Sequence, residues 1–232
     1  MSGLKLAALY GIKPHLLGFC GPREESSTRV LLNYLSGKKV SEKKVRKILT
    51  EFEGAMAYYN LIAQCNNIKD PFNEKVVKAY WIGNELLDSV STESLQETIK
   101  KEFSRPGLLS KKAAAKKTKK VAKGSVPHHS FHVMKIGSVT GRIRLQGKLR
   151  DVCRIGWGKV ITLDPLKNRM KVIYQPLTGK KNKKYIGWNK DLLKNPRVGS
   201  FVSIHWNMAI QILQKKDLKN LQKYTQQTLK RI

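Results

Sequence analysis

Gly107-Leu-Leu-Ser-Lys-Lys-Ala-Ala-Ala-Lys-Lys-Thr-Lys-Lys-Val-Ala-Lys-Gly-Ser125 divides the chain into two parts of different character. The stretch contains no aromatic residue and no acid, so it offers too little apolar surface to offset the entropy of ordering it. On its residues alone it is a Lys/Ala-rich flexible linker, set within residues 106–130, which hold seven lysines and no acidic side chain. The hydrophobic period changes across it, from about 3.6 before to 2 after.

Upstream, residues 1–105 read as an all-helical domain. Ser41 is placed to cap a helix, and Val45, Ile48, Leu49, Phe52, Met56, Tyr59, Ile62 and Ala63 follow at three- and four-residue steps. One helix of about 25 residues is expected there, interrupted at Asn66-Asn67. A second should start near Asn73, beyond Asp70-Pro71, end near Asp88, and lay Val76, Val77, Tyr80 and Trp81 against the first. Shorter helices are expected over 2–10, 26–36 and 92–103, with turns at Gly18-Phe-Cys-Gly-Pro22 and Gly37-Lys38-Lys39.

Downstream, residues 131–232 read as β. Segments 133–149, 152–163, 170–175, 184–188 and 198–206 are rich in Val, Ile, Tyr and Trp and are punctuated by Gly, Asn and Pro. Strands this short and close together predict a small barrel, since closure removes the exposed edges. Leu218, Leu221, Thr225, Leu229 and Ile232 then share one face of a C-terminal helix. The fold class expected is α+β multidomain: an N-terminal all-α domain, a basic linker, and a C-terminal small β-barrel with a C-terminal helix.

The 232 residues carry 46 Lys+Arg against 16 Asp+Glu, a formal charge of +30. No apolar run approaches the roughly 18 residues that cross a bilayer, so no membrane span and a cytoplasmic location are expected. Cys20, Cys65 and Cys153 are odd in number and form no CxxC pair, which fits reduced thiols and excludes a disulfide framework or a zinc ribbon. There is no glycine-rich phosphate loop and no Ser/His/Asp arrangement, and the only acids after residue 130 are Asp151, Asp164, Asp191 and Asp217. A non-enzymatic protein is expected.

Judged singly, Cys153 is a small buried hydrophobe and His205 a half-exposed strand end. Together with their neighbours they carry a resemblance. Cys153-Arg-Ile-Gly-Trp-Gly158-Lys-Val160, followed by Gly199-Ser-Phe-Val-Ser-Ile-His205-Trp-Asn-Met-Ala209-Ile210, resembles the HypC/HupF hydrogenase-formation chaperones over about residues 150–230. The resemblance implies a small OB-like barrel with a C-terminal helix, and a carrier that contacts a hydrogenase large subunit or maturation factors. It places the metal-handling roles on Cys153 and His205, and the cargo it implies is an iron centre of the Fe-dicyanide-carbonyl type. A thiolate and a neutral imidazole suit such iron, and Arg150, Arg154 and Lys159 are expected to favour the thiolate. Because the first barrel strand begins just after Cys153 and the last ends at His205, the two side chains should face one another.

A possible second metal site is Cys20 with His128, His129 and His132 of the His-His-Ser-Phe-His cluster, which otherwise reads as a polar lead-in to the first strand. Cys65, on an apolar helix face, reads as core. The alternative function is a basic OB-fold nucleic-acid-binding protein, using the lysine-rich linker together with Lys180, Lys181, Lys183, Lys184, Tyr185 and Trp188 for phosphate contacts and stacking.

Overall fold

The structure is a computed structural model and describes residues 1–231. Seven helices come first: α1 (Gly3–Leu16), α2 (Glu25–Leu35), α3 (Glu42–Thr50), α4 (Glu53–Cys65), α5 (Glu74–Trp81), α6 (Thr92–Glu102) and α7 (Lys111–Thr118). Two short pieces follow, α8 (His129–Phe131), which runs into a π-type turn over His132–Ile136, and α9 (Lys148–Cys153). Then come five strands, β1 (Gly156–Asp164), β2 (Arg169–Tyr174), β3 (Asn182–Gly187), β4 (Phe201–His205) and β5 (Met208–Ile212), and the last helix, α10 (Lys215–Leu229). Among the described residues, no helix is long and apolar enough to cross a membrane.

Helix α1 is central. Ser2 caps it by accepting from the Lys5 N–H, and Leu4, Leu6 to Tyr10 and Ile12 are all buried, so it is covered on most sides by the other helices and by the barrel. The single helix expected after Ser41 is instead two, α3 and α4, because Phe52 leaves helical geometry (φ −84°, ψ 80°). Its ring turns inward against His15, at 5.6 Å between centroids, and against the backbone of Gly21. Gly21 has φ +76°, and a Cβ there would lie 2.5 Å from the Phe52 ring, so burying this side chain requires both the helix break and the glycine. Asn73 caps α5 as the sequence predicts, but the helix stops at Trp81 and a 3₁₀ turn (Glu85–Ser89) covers the rest.

The strands close in the order β1-β2-β3-β5-β4, with β4 returning to β1. All pairs are antiparallel except β3 with β5, which meet in parallel at Gly187 and Met208. Val160, Met170, Val172, Ile186, Val202, Ile204 and Ala209 pack together in the barrel cluster. The alternate residues of β4, Ser203 and His205, bond α1 instead: Ser203 Oγ lies 2.8 Å from Tyr10 Oη, and His205 Nδ1 is 2.8 Å from the Tyr10 carbonyl oxygen. Strand β4 is therefore buried on both sides.

Two expectations are corrected. Residues 106–130 do not form a flexible linker. Ser110 caps α7, Ala114 is fully buried, and Lys117 donates to the Ile136 carbonyl. Gly124 donates to Thr92 Oγ1, and Arg231 to the Lys123 carbonyl. Most of the other lysines face water while Ala114 packs, and one apolar cluster runs from α1 through Val121 and Val126 to Ile155, Trp157, Leu221 and Tyr224. The strand expected over 133–149 is also absent. Val133, Met134 and Ile136 are buried from a helical turn, which closes when Gly137, at φ +73°, donates to the His132 carbonyl.

Candidate metal centre

The end of α9 and the end of β4 are held side by side by the backbone. Gly156 pairs with Ile204 and Trp157 with Ser203, and the Trp206 N–H donates to the Val152 carbonyl at 2.8 Å. This puts Cys153 next to His205. Helix α8 supplies a third side chain, and the ligand atoms of His129, Cys153 and His205 all lie within 4.8 Å of one another, every one buried. They line a cavity of about 60 Å³ together with Cys20, Tyr80, Trp81, His132 and Trp206. The expected partnership of Cys153 and His205 is thus realised in space, although the strand order differs from the sequence reading: β4 is followed by β5, and β4 is the one that pairs with β1.

Hydrogen bonds fix the two imidazoles differently. A carbonyl can only accept, so His205 carries its proton on Nδ1, bonded to Tyr10 O, and its Nε2 keeps a lone pair. That Nε2 is buried with no hydrogen-bond partner, which is costly unless something occupies it. His129 places Nε2–H on the Cys153 carbonyl oxygen at 2.9 Å and accepts from Tyr80 Oη through Nδ1 at 3.0 Å. Cys153 and His205 are therefore the ready donors. His129 could join them only by giving up its bond from Tyr80.

Burial sets the protonation. It lowers His205 and His132 to about 4, and it lowers His129 well below the ordinary range, with repulsion from His205 and His132 adding to the effect. At neutral pH these rings are uncharged and can donate lone pairs. Burial pushes the Cys153 thiol well up, and Cys20 to about 12. The cationic help expected for Cys153 does not reach it. The Arg154 guanidinium, 1% exposed, is bound to Asp151, Tyr174 Oη and the Gln175 carbonyl and lies over the Trp157 ring, Arg150 bonds the Leu145 carbonyl, and Lys159 is exposed. An incoming ion must itself displace the thiol proton.

The donor set fits a soft or borderline ion. One sulfur and two imidazole nitrogens suit zinc, copper or iron, and a tetrahedral ion holds such donors about 3.5 Å apart, so these need only draw together by an ångström or so. The cluster expected as a second metal site is divided among different neighbours. His129 joins Cys153, while Cys20 and His132 lie on the cavity wall, His132 with Nδ1 3.4 Å from Tyr58 Oη. His128 stacks on Tyr224 at 5.8 Å and is not part of the cavity. Cys65, half-buried at the end of α4, packs at the edge of the helical core.

A family model described as a family of unknown function matches residues 1–232. The chain belongs to the DUF6390 family. Helices and barrel therefore fall within one family unit. No curated protein and no solved structure matches the chain.

The basic surface of this DUF6390 protein is arranged differently from the sequence expectation. Lys180, Lys181 and Lys183 are exposed around the β2–β3 turn, and Tyr185 is 49% exposed, with the Arg169 guanidinium 4.3 Å and the Lys171 ammonium 5.3 Å from its ring centroid. Lys184 instead sits 3.5 Å over the Tyr174 ring and donates to Asn207 Oδ1. Trp188 cannot stack on a base, since it is buried in the barrel with its Nε1–H on the Leu193 carbonyl. His129 is the member of the cavity cluster that sequence reasoning assigned elsewhere. Its one signal was the i, i+3 spacing to His132, which sets both on one side of a helical turn and His128 on another.

Proposed function

We propose that this DUF6390 protein is a non-enzymatic, chaperone-like carrier that handles a metal centre through Cys153 and His205, with His129 beside them. One observation carries the reading: a buried thiol and two neutral imidazoles converge on one small cavity, and one imidazole lone pair there has no partner. Two ready protein ligands leave coordination positions open, as a carrier needs if it is to release its cargo. The resemblance to the HypC/HupF chaperones points to iron as that cargo and to a metalloenzyme large subunit or maturation factor as the recipient. The five-stranded barrel order with one parallel pair supports the OB-like reading of the C-terminal part.

Anaerobic titration with Fe²⁺ tests this. The wild-type chain should take up one ion, and Cys153→Ala and His205→Ala should each weaken uptake at least tenfold, while Cys65→Ala leaves it unchanged. Full iron loading of the Cys153→Ala variant would falsify the carrier reading.

A second reading rests on the exposed Tyr185, with Arg169 and Lys171 against its ring and Lys180, Lys181 and Lys183 nearby. An aromatic face among lysines is a minimal platform for single-stranded nucleic acid. Absence of RNA or DNA binding at low salt removes it.

A further inference from the structure

His205 is not the only orphan in the cavity. Trp206 lines it too, is 8% exposed, and buries its indole Nε1–H without an acceptor. The two orphans are of opposite kinds. The His205 Nε2 lone pair can be satisfied by an electron-pair acceptor such as a metal ion, but an N–H group cannot; it requires an atom with a lone pair of its own. The neighbours do not supply one. His129 has both nitrogens engaged, its Nε2 on the Cys153 carbonyl, and Phe19, 4.9 Å from the Trp206 ring, is apolar. An unmatched buried donor of this sort is strongly disfavoured, and in folded proteins it commonly marks a missing ligand.

Resting on the metal-handling reading above, we propose that Trp206 is a binding residue of the same site, and that its indole N–H donates to a small non-protein ligand carried on the ion. The class of occupant is then a metal ion bearing a small anion that accepts the hydrogen bond, and not a bare or merely hydrated ion. The arrangement divides the work. Cys153 and His205 hold the ion, and Trp206 selects for what it carries. The position is well fixed for this role, because Trp206 and Asn207 form the β4–β5 turn with φ of 49° and 56°, and the Trp206 N–H is tied to Val152.

The test uses the full chain loaded with Co²⁺ under anaerobic conditions and titrated with azide, read from the visible Co²⁺ absorption. Wild type and Trp206→Phe should bind Co²⁺ alike, within about threefold, while azide affinity falls about tenfold in the variant, the loss expected for one hydrogen bond in a buried site. A variant that does not fold is replaced by a measurement on wild type. In the ¹⁵N-labelled, Cd²⁺-loaded protein, the indole N–H resonance with a contact to the Phe19 ring should move downfield on addition of azide. Equal azide affinity in the two proteins, or an unmoved Trp206 resonance, overturns this inference and leaves the metal site standing. Failure of wild type to bind Co²⁺ overturns the metal-handling reading, and this inference falls with it.

Discussion

Lowering the pH from 7.5 to 5 should unfold this protein through its buried histidines. His128, His129, His132 and His205 are all buried. Burial holds His128 to about 3 and His132 and His205 to about 4, with His129 also well below 6.5. In the unfolded chain each titrates near 6.5. Above that pH neither state binds the extra proton and the four rings add nothing to the pH dependence. Below it the unfolded chain takes up protons that the folded chain refuses, so stability falls with pH until the folded pKa is reached. One unit is worth about 1.4 kcal/mol, so between pH 6.5 and 5 each ring costs about 2 kcal/mol and the four together ~8 kcal/mol. That is comparable to the whole stability of an ordinary domain, ~5–15 kcal/mol. Asp70 and Asp164, held low by Arg46 and Arg169, lose their contribution only as pH falls through the carboxylate range, below this window. Urea unfolding followed by far-UV circular dichroism at pH 7.5, 6.5, 5.5 and 5 measures the slope. Equal stability at pH 7.5 and 5, or histidine ring protons titrating near 6.5 in the folded protein, would refute the reasoning.

Other outcomes follow from single contacts. Ala114→Glu places a charge at a fully buried position of α7 and should cost several kcal/mol, whereas a mobile segment would tolerate it; thermal unfolding decides. Arg154→Ala leaves Asp151 without its buried partner and should lose about 3–5 kcal/mol in the same assay. Gly83→Ala should cost more than about 2 kcal/mol, because φ is +94° and the new Cβ would meet the Tyr224 ring at 2.1 Å. Iron affinity should rise about tenfold per pH unit between 6.5 and 8, as the Cys153 proton is displaced, and pH-independent uptake would show that the thiol takes no part.

Sequence patterns were informative wherever local periodicity and burial agree. The helix over 92–102, the Asn73 cap and strands β1 to β4 answer to local spacing and composition, since none of them requires a left-handed backbone residue. Strand β5 was hidden because its turn is Trp206-Asn207, two left-handed residues with no glycine to announce them. The packed course of 106–130 was hidden because its lysines dominate the composition while only a few scattered apolar residues, Ala114, Val121 and Val126, make the buried contacts. The pairing of Cys153 with His205 could be read from the resemblance. The place of His129 could not, since it depends on how α8 docks on the barrel, and no spacing in the sequence encodes a contact between residues 24 positions apart. Nor does any local pattern show that Tyr10 and Tyr80 would orient the two rings.

The cavity walls come from far along the chain, from Gly11 through Phe19, Tyr80, His129 and Cys153 to Trp206, and this bears on biosynthesis. A nascent chain that has already released every helix up to α9 still lacks His205 and the strand that carries it, so its exposed thiol and imidazole have no pocket in which to converge. On the proposed metal-handling reading, capture would accordingly belong to the protein after β4 has emerged and paired with β1, and ions encountered during translation would find no site to occupy. For the same reason neither the helical part nor the barrel, expressed separately, should carry the function in miniature.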